Sequence, residues 1–143
     1  MIEELTRTEV DELLSEHVVG RIGCHADGLT YVVPVIYAYD GEAVYVASVE
    51  GQKIRMMRAN AEVCFEVDEY ERGTWRSVVA QARYEELAGS GAERALELLA
   101  ARFAGSGTRR RPATGGRATV CFRLVLGETT GRAVRPAGAP PAA

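Results

Sequence analysis

Residues 30–54 read TYVVPVIYAYDGEAVYVASVEGQKI, and this stretch decides the fold. β-Branched and aromatic residues fill 30–39, the composition of a strand. Asp40-Gly41 tolerates the positive φ of a tight hairpin, and EAVYVAS (42–48) returns as the partner strand. Pro34 has no N–H to give to a ladder, so its strand is expected at a sheet edge or a bulge. After a glycine turn, GQKIRMMRAN (51–60) spaces Ile54 and Met57 three apart and stops at Asn60, which predicts a short helix. Two strands joined directly by a hairpin pair antiparallel.

Outward from this unit the pattern continues. Thr6 and Glu9 have the spacing of a capping box, and Val10, Leu13, Leu14 and Val18 follow at helical intervals, predicting a helix over 7–17. VVGRIGC (18–24) reads as a strand ending near a turn at Asp27-Gly28. Strands are also predicted over 62–68, 74–87 and 118–126. Ser90 with Glu93 forms a second capping-box candidate before a helix over 91–103, whose apolar face is Leu96, Leu99 and Phe103. A loop rich in Gly and Arg, with Arg109, Arg110 and Arg111, fills 105–117. Six strands and three helices without βαβ units predict a mostly β (α+β) architecture, an antiparallel barrel with helices at its ends. One domain is expected over 1–134, with 135–143 a flexible C-terminal tail.

With 143 residues the chain can bury one real core. A net charge of −3 gives no general attraction to nucleic acid or an anionic membrane, so neither is an expected partner. No apolar run approaches the ~20 residues that span a bilayer. The opening MIEELTRTEV lacks the basic and apolar regions of a signal peptide, so a cytoplasmic location is expected. Cys24, Cys64 and Cys121 are widely spaced in apolar surroundings, which predicts buried reduced thiols. His17 and His25 lie beside polar residues near element ends and are expected at the surface; no metal site is expected. Glu69–Glu71 and Glu85-Glu86 read as solvated charge, and the arginines at 109–111 as a solvated loop or a reach toward a partner's ligand. Neither GxGxxG nor GxxxxGK[ST] occurs.

Three features could carry chemistry. In SVEGQKI (48–54), Ser48 offers a hydroxyl and Gly51 lets a ligand approach the backbone. Gln52 and Lys53 open a helix whose free amides favour an anion. Spacing alone also fits a capped turn with a solvated lysine. Val33-Pro34-Val35 leaves edge amides and carbonyls available to a flat heterocycle, or is simply a proline that blunts an edge. Trp75 could stack on a ring, pack at an interface or simply pack in a core, and Ser77 shares its face of the strand.

Taken in order, PV…Y…DG…Y…S…GxK, then RANAEVCFEVD, then WRSVV resemble the pyridoxamine 5′-phosphate oxidase-like superfamily, most closely its branch related to nitroimidazole resistance proteins. The resemblance spans roughly 2–134. It implies a six-stranded antiparallel split β-barrel with flanking helices, and a homodimer with FMN between subunits. By position it implies that Val33, Pro34 and Val35 run beside the flavin ring. Val46, Ala47 and Ser48 would line the ribityl and ring region, Gln52 and Lys53 fall on the family's basic phosphate-binding pair although Gln52 is neutral here, and Ser77 stands where the family places a polar residue near the flavin. It further implies an oxidoreductase acting on a small organic molecule, with NAD(P)H a candidate donor and the flavin supplying the redox chemistry. Alternatives are a reductase using deazaflavin F420 and a non-catalytic flavin or haem module. Ala47 stands where many nitroimidazole-resistance relatives carry histidine, and Ala82 where the WxSVV strand usually reaches glycine. The Arg-x-His element of the true oxidase is missing, which argues against vitamin B6 oxidation.

Overall fold

A computed structural model describes residues 2–104 and 119–137. The first strand, β1 (Ile2–Glu4), leads into helix α1 (Arg7–Glu16). Thr6 caps that helix: its Oγ1 accepts from the Glu9 N–H at 3.2 Å, and the Glu9 carboxylate accepts from the Thr6 N–H at 3.0 Å. Next come β2 (Val19–Ala26), β3 (Leu29–Ile36), β4 (Ala38–Tyr39) and β5 (Ala43–Val49). Helix α2 (Gln52–Ala59), strands β6 (Glu62–Glu71) and β7 (Thr74–Leu87), helix α3 (Ser90–Ala104) and strand β8 (Thr119–Val134) complete the order.

All strands pair antiparallel, in the order β3-β2-β6-β7-β8-β5-β4, with β1 added to β8. The sheet curls until edge strand β3 lies against β5. No ladder joins those two among the described residues, so the barrel is split there. The expected edge position of Pro34 is what the structure shows: it faces Arg21 of β2 on one side only.

Strand number and extent differ from the sequence reading. There are eight strands among the described residues, not six. The predicted 30–39 strand breaks at Tyr37, because that side chain turns into the core. There its hydroxyl donates to the Leu14 carbonyl at 2.6 Å and its ring meets Phe65 edge-on at 4.9 Å. The last strand runs on to Val134 rather than stopping at 126. A register shift opposite Ala80 and Ala82 carries it past Gly127, letting one strand pair with β5 by its first half and β1 by its second. Helix α3 begins at Ser90 itself, and the Gly89 carbonyl accepts from the Glu93 N–H at 3.0 Å. The 109–111 arginines and the end of the tail lie outside the described residues.

The core fills the barrel with Ile22, Tyr37, Val44, Ile54, Met57, Phe65, Phe122 and Leu124, all essentially solvent-free. Helix α1 closes one end with Val10, Leu13 and Leu14. Helix α3 packs on β5 and β8 around Ala43, Tyr45, Ala95 and Cys121. The cysteines are free, two of them buried as expected and Cys64 half-buried.

Candidate functional site

The site is built where β5 runs out into α2. Gly51 is the N-cap, with extended backbone (φ −175°, ψ −167°), and no side chain caps the helix. Its carbonyl accepts the first helical bond, from the Arg55 N–H at 3.1 Å. The amides of Gln52, Lys53 and Ile54 precede that bond and have no acceptor within the helix. No acid stands in the first turn.

Lys53 is half-buried, and burial pushes its ammonium pKa down. Among the described residues it has no ion-pair or hydrogen-bond partner, so none of them offsets its desolvation. A cation at a helix N-terminus is also opposed by the helix dipole. A bound anion relieves both costs and pairs with the free amides, so the arrangement suits a phosphate.

The other candidates fall into two groups. On β3, Val33 is half-buried, Pro34 exposed and Val35 buried. On β5, Val46 is buried, while Ala47 and Ser48 are half-buried. β3 and β5 touch each other, and α2, which follows β5 in the chain, packs on β2, the strand paired with β3. Two side chains there engage the protein itself. The Ser48 hydroxyl donates to the Val49 carbonyl at 3.2 Å, and the Gln52 amide points at Met56 Sδ, 3.9 Å away.

Trp75 and Ser77 are elsewhere. They lie on β7, with β2 and β6 between them and β3. In register, Pro34 faces Arg21, Arg21 faces Glu66, and Glu66 faces Val79, two residues beyond Ser77. Three strand spacings make roughly 14 Å of sheet. Along the sheet, Trp75 and Ser77 therefore lie on a strand three positions from the Pro34 edge. Trp75 belongs to an exposed apolar row across four strands, formed by Tyr70, Trp75, Val134 and Ile2 in register, at 74%, 51%, 44% and 69% exposure.

Sequence reasoning passed over two charged networks. Glu69, read as solvated, is only 14% exposed and accepts from His17 Nε2 at 2.7 Å and Arg76 Nη2 at 2.8 Å. Burial works to raise its pKa, but those two partners prevail and hold it below the usual carboxylate range. Glu16, His17 and Glu69 offer ligand atoms within 4.8 Å of one another, yet Arg76 already pairs with both carboxylates. Glu85 and Glu86 are likewise paired, with Arg123 and Arg58 at 2.7 Å each. Side-chain spacing along a strand shows neither network, because each links elements far apart in sequence.

Two concavities lie apart from these residues. One of about 440 Å³ sits between α1 and the β8 bulge, lined by Arg7, Val10, Asp11, Tyr39 and Gly127 among others. A wider groove of about 750 Å³ runs over β2, β3, β6 and β7 past His25, Val32, Cys64 and Arg83.

Comparison with known proteins bears on the reading. An uncharacterized protein of Rhizobium meliloti (strain 1021) is 36% identical over 84 residues, 58% of this chain and 56% of that protein, so the chain spans little more than half of this curated relative. The crystal structure of an FAD-binding protein from Mesorhizobium loti superposes with a TM-score of 0.80 at 34% identity, covering 94% of this chain and 99% of that one. A candidate 5-nitroimidazole antibiotic resistance protein of Bacteroides thetaiotaomicron shares the fold, with a TM-score of 0.75 at 18% identity over 93% and 87% of the two chains. The family model described as pyridoxamine 5′-phosphate oxidase matches residues 6–133. With its split antiparallel barrel and a family match over nearly its whole described length, this chain belongs to the pyridoxamine 5′-phosphate oxidase family.

Proposed function

We propose that this protein is a flavin-dependent oxidoreductase that binds FMN and acts on a small organic molecule. The observation that carries the reading is the half-buried Lys53, which pairs with none of the described residues, at the start of α2, where no side chain caps the helix. Lys53 and the free amides beside it would hold the phosphate. Val33, Pro34 and Val35 would run along the ring with the free edge of β3, and Val46 and Ala47 would supply its apolar bed. Bound there, the flavin supplies hydride or electron transfer, and the protein supplies binding, orientation and exclusion of water.

Trp75 and Ser77 fit this reading only if a second copy of the chain brings them. The proposal therefore includes a homodimer with a cofactor at each interface. The exposed row of Tyr70, Trp75, Val134 and Ile2 is the surface such a dimer would cover.

A second reading keeps the site and takes FAD, because the Mesorhizobium loti protein at 34% identity is an FAD-binding protein. The two share the isoalloxazine ring and an anionic tail. Absorbance and mass analysis of whatever copurifies, followed by titration with FMN, FAD and F420, separates them. A colourless protein that gains no flavin spectrum with any of these would end the proposal. Turnover with NADH or NADPH and a panel of nitro, quinone and azo acceptors tests the oxidoreductase step, and no turnover would reduce the protein to a carrier.

A further inference from the structure

Glu50 stands one residue before the N-cap of α2 and is the only acid in 48–55. A free carboxylate there would oppose any anion bound at the helix start. It is not free. Arg58, on the last turn of the same helix, reaches back to place Nη1 2.7 Å from Glu50 Oε1. The same guanidinium grips Glu86 of β7 through both oxygens, Nε to Oε1 at 2.7 Å and Nη2 to Oε2 at 3.1 Å. Glu86 also accepts from the Tyr84 hydroxyl at 2.7 Å. Tyr84 is buried, its ring 5.2 Å from Phe122. A chain of polar contacts thus runs from the barrel core to the loop that opens the cradle.

An isolated exposed ion pair contributes little. This one differs in geometry: the bidentate hold on Glu86, itself tied to a buried phenol, fixes the guanidinium before it meets Glu50. From this we infer that Arg58 is a positioning residue for the anion cradle, holding the Glu50 carboxylate neutralised and turned from the bound phosphate. The inference rests on the flavin-phosphate reading above.

The test is titration of the full-length chain with FMN and with riboflavin, which has the ring and ribityl chain but no phosphate. Arg58→Ala is expected to weaken FMN roughly five- to tenfold, the size of one like charge several ångströms away in a partly screened setting, and to leave riboflavin unchanged. Arg58→Ala with Glu50→Gln should restore FMN affinity, because the opposing charge is gone. Equal weakening of both ligands, no weakening of FMN, or no rescue by Glu50→Gln would each overturn the inference while leaving the flavin reading intact. A wild-type chain that does not prefer FMN to riboflavin would overturn both. Should Arg58→Ala melt early, Glu50→Gln alone provides the second arm. It leaves Arg58 anchored to Glu86 and, because the Glu50 charge is already neutralised, is expected to change FMN affinity by less than about twofold and riboflavin affinity not at all; a change in FMN affinity of about fivefold or more, in either direction, would count against the inference.

Discussion

In the proposed site, Lys53 is the side chain that meets the phosphate charge. Each charge-assisted bond is worth about 1.5–3 kcal/mol, so Lys53→Met is expected to cost roughly 10- to 100-fold in FMN affinity and much less in riboflavin affinity. Burial lowers the Lys53 pKa below its ordinary 10.5. The charged ammonium thus costs the free protein stability below its folded pKa, and that cost is gone once pH has risen past the ordinary lysine value. FMN binding is expected to decline at alkaline pH earlier than an unperturbed lysine would allow, and Lys53→Arg, which does not titrate there, should remove the decline. Dissociation constants measured against pH read this directly. Gly20 makes a different point. A Cβ added there would stand 2.3 Å from Phe65 Cζ and 3.1 Å from the Glu66 carbonyl oxygen. Gly20→Ala is expected to cost about 1–3 kcal/mol by overpacking, seen as a lower urea midpoint with unchanged slope.

At the scale of elements, α1 is fixed by its cap and by the charged cluster just beyond its end. Thr6→Ala removes the hydroxyl that accepts from the Glu9 N–H while keeping the backbone N–H that donates to the Glu9 carboxylate, and is expected to cost about 1 kcal/mol. The Glu69 carboxyl is held below its ordinary 4.5 against the pull of burial, by His17 and Arg76. A depressed carboxyl pKa stabilises the fold above the unfolded value and loses that contribution as pH falls through the folded one. Unfolding free energy measured from about pH 6 down to pH 3 should therefore drop, and Glu69→Gln should flatten part of that drop while lowering stability at neutral pH. A slope identical in wild type and variant would mean the cluster does not tie α1 to β6.

For the whole molecule, the decisive feature is the distance between the two halves of the site. Trp75 and Ser77 lie three strands from Pro34, so the proposed flavin site takes them in only if a second chain supplies them. Light scattering at micromolar concentration is expected to report a dimer. Trp75→Glu, which places a charge in the exposed apolar row, should give a monomer with weakened flavin binding and little loss of fold, since Trp75 is 51% exposed. A flavin-loaded monomer would refute the shared site.

Local signals were enough for the α1 cap, the Asp27-Gly28 and Asp40-Gly41 turns, the edge position of Pro34 and the strand-to-helix step at Lys53, because a cap, a positive φ or a missing N–H is a property of a few neighbouring residues. The break at Tyr37 and the run of β8 through Gly127 to Val134 were set by long-range partners instead: Leu14 and Phe65 for the first, β1, β5 and β7 for the second. The same holds for the Arg58 and Arg76 networks and for the separation of Trp75 from Pro34 across the sheet. A side chain's neighbours across strands depend on register and curl, which no short window of sequence contains.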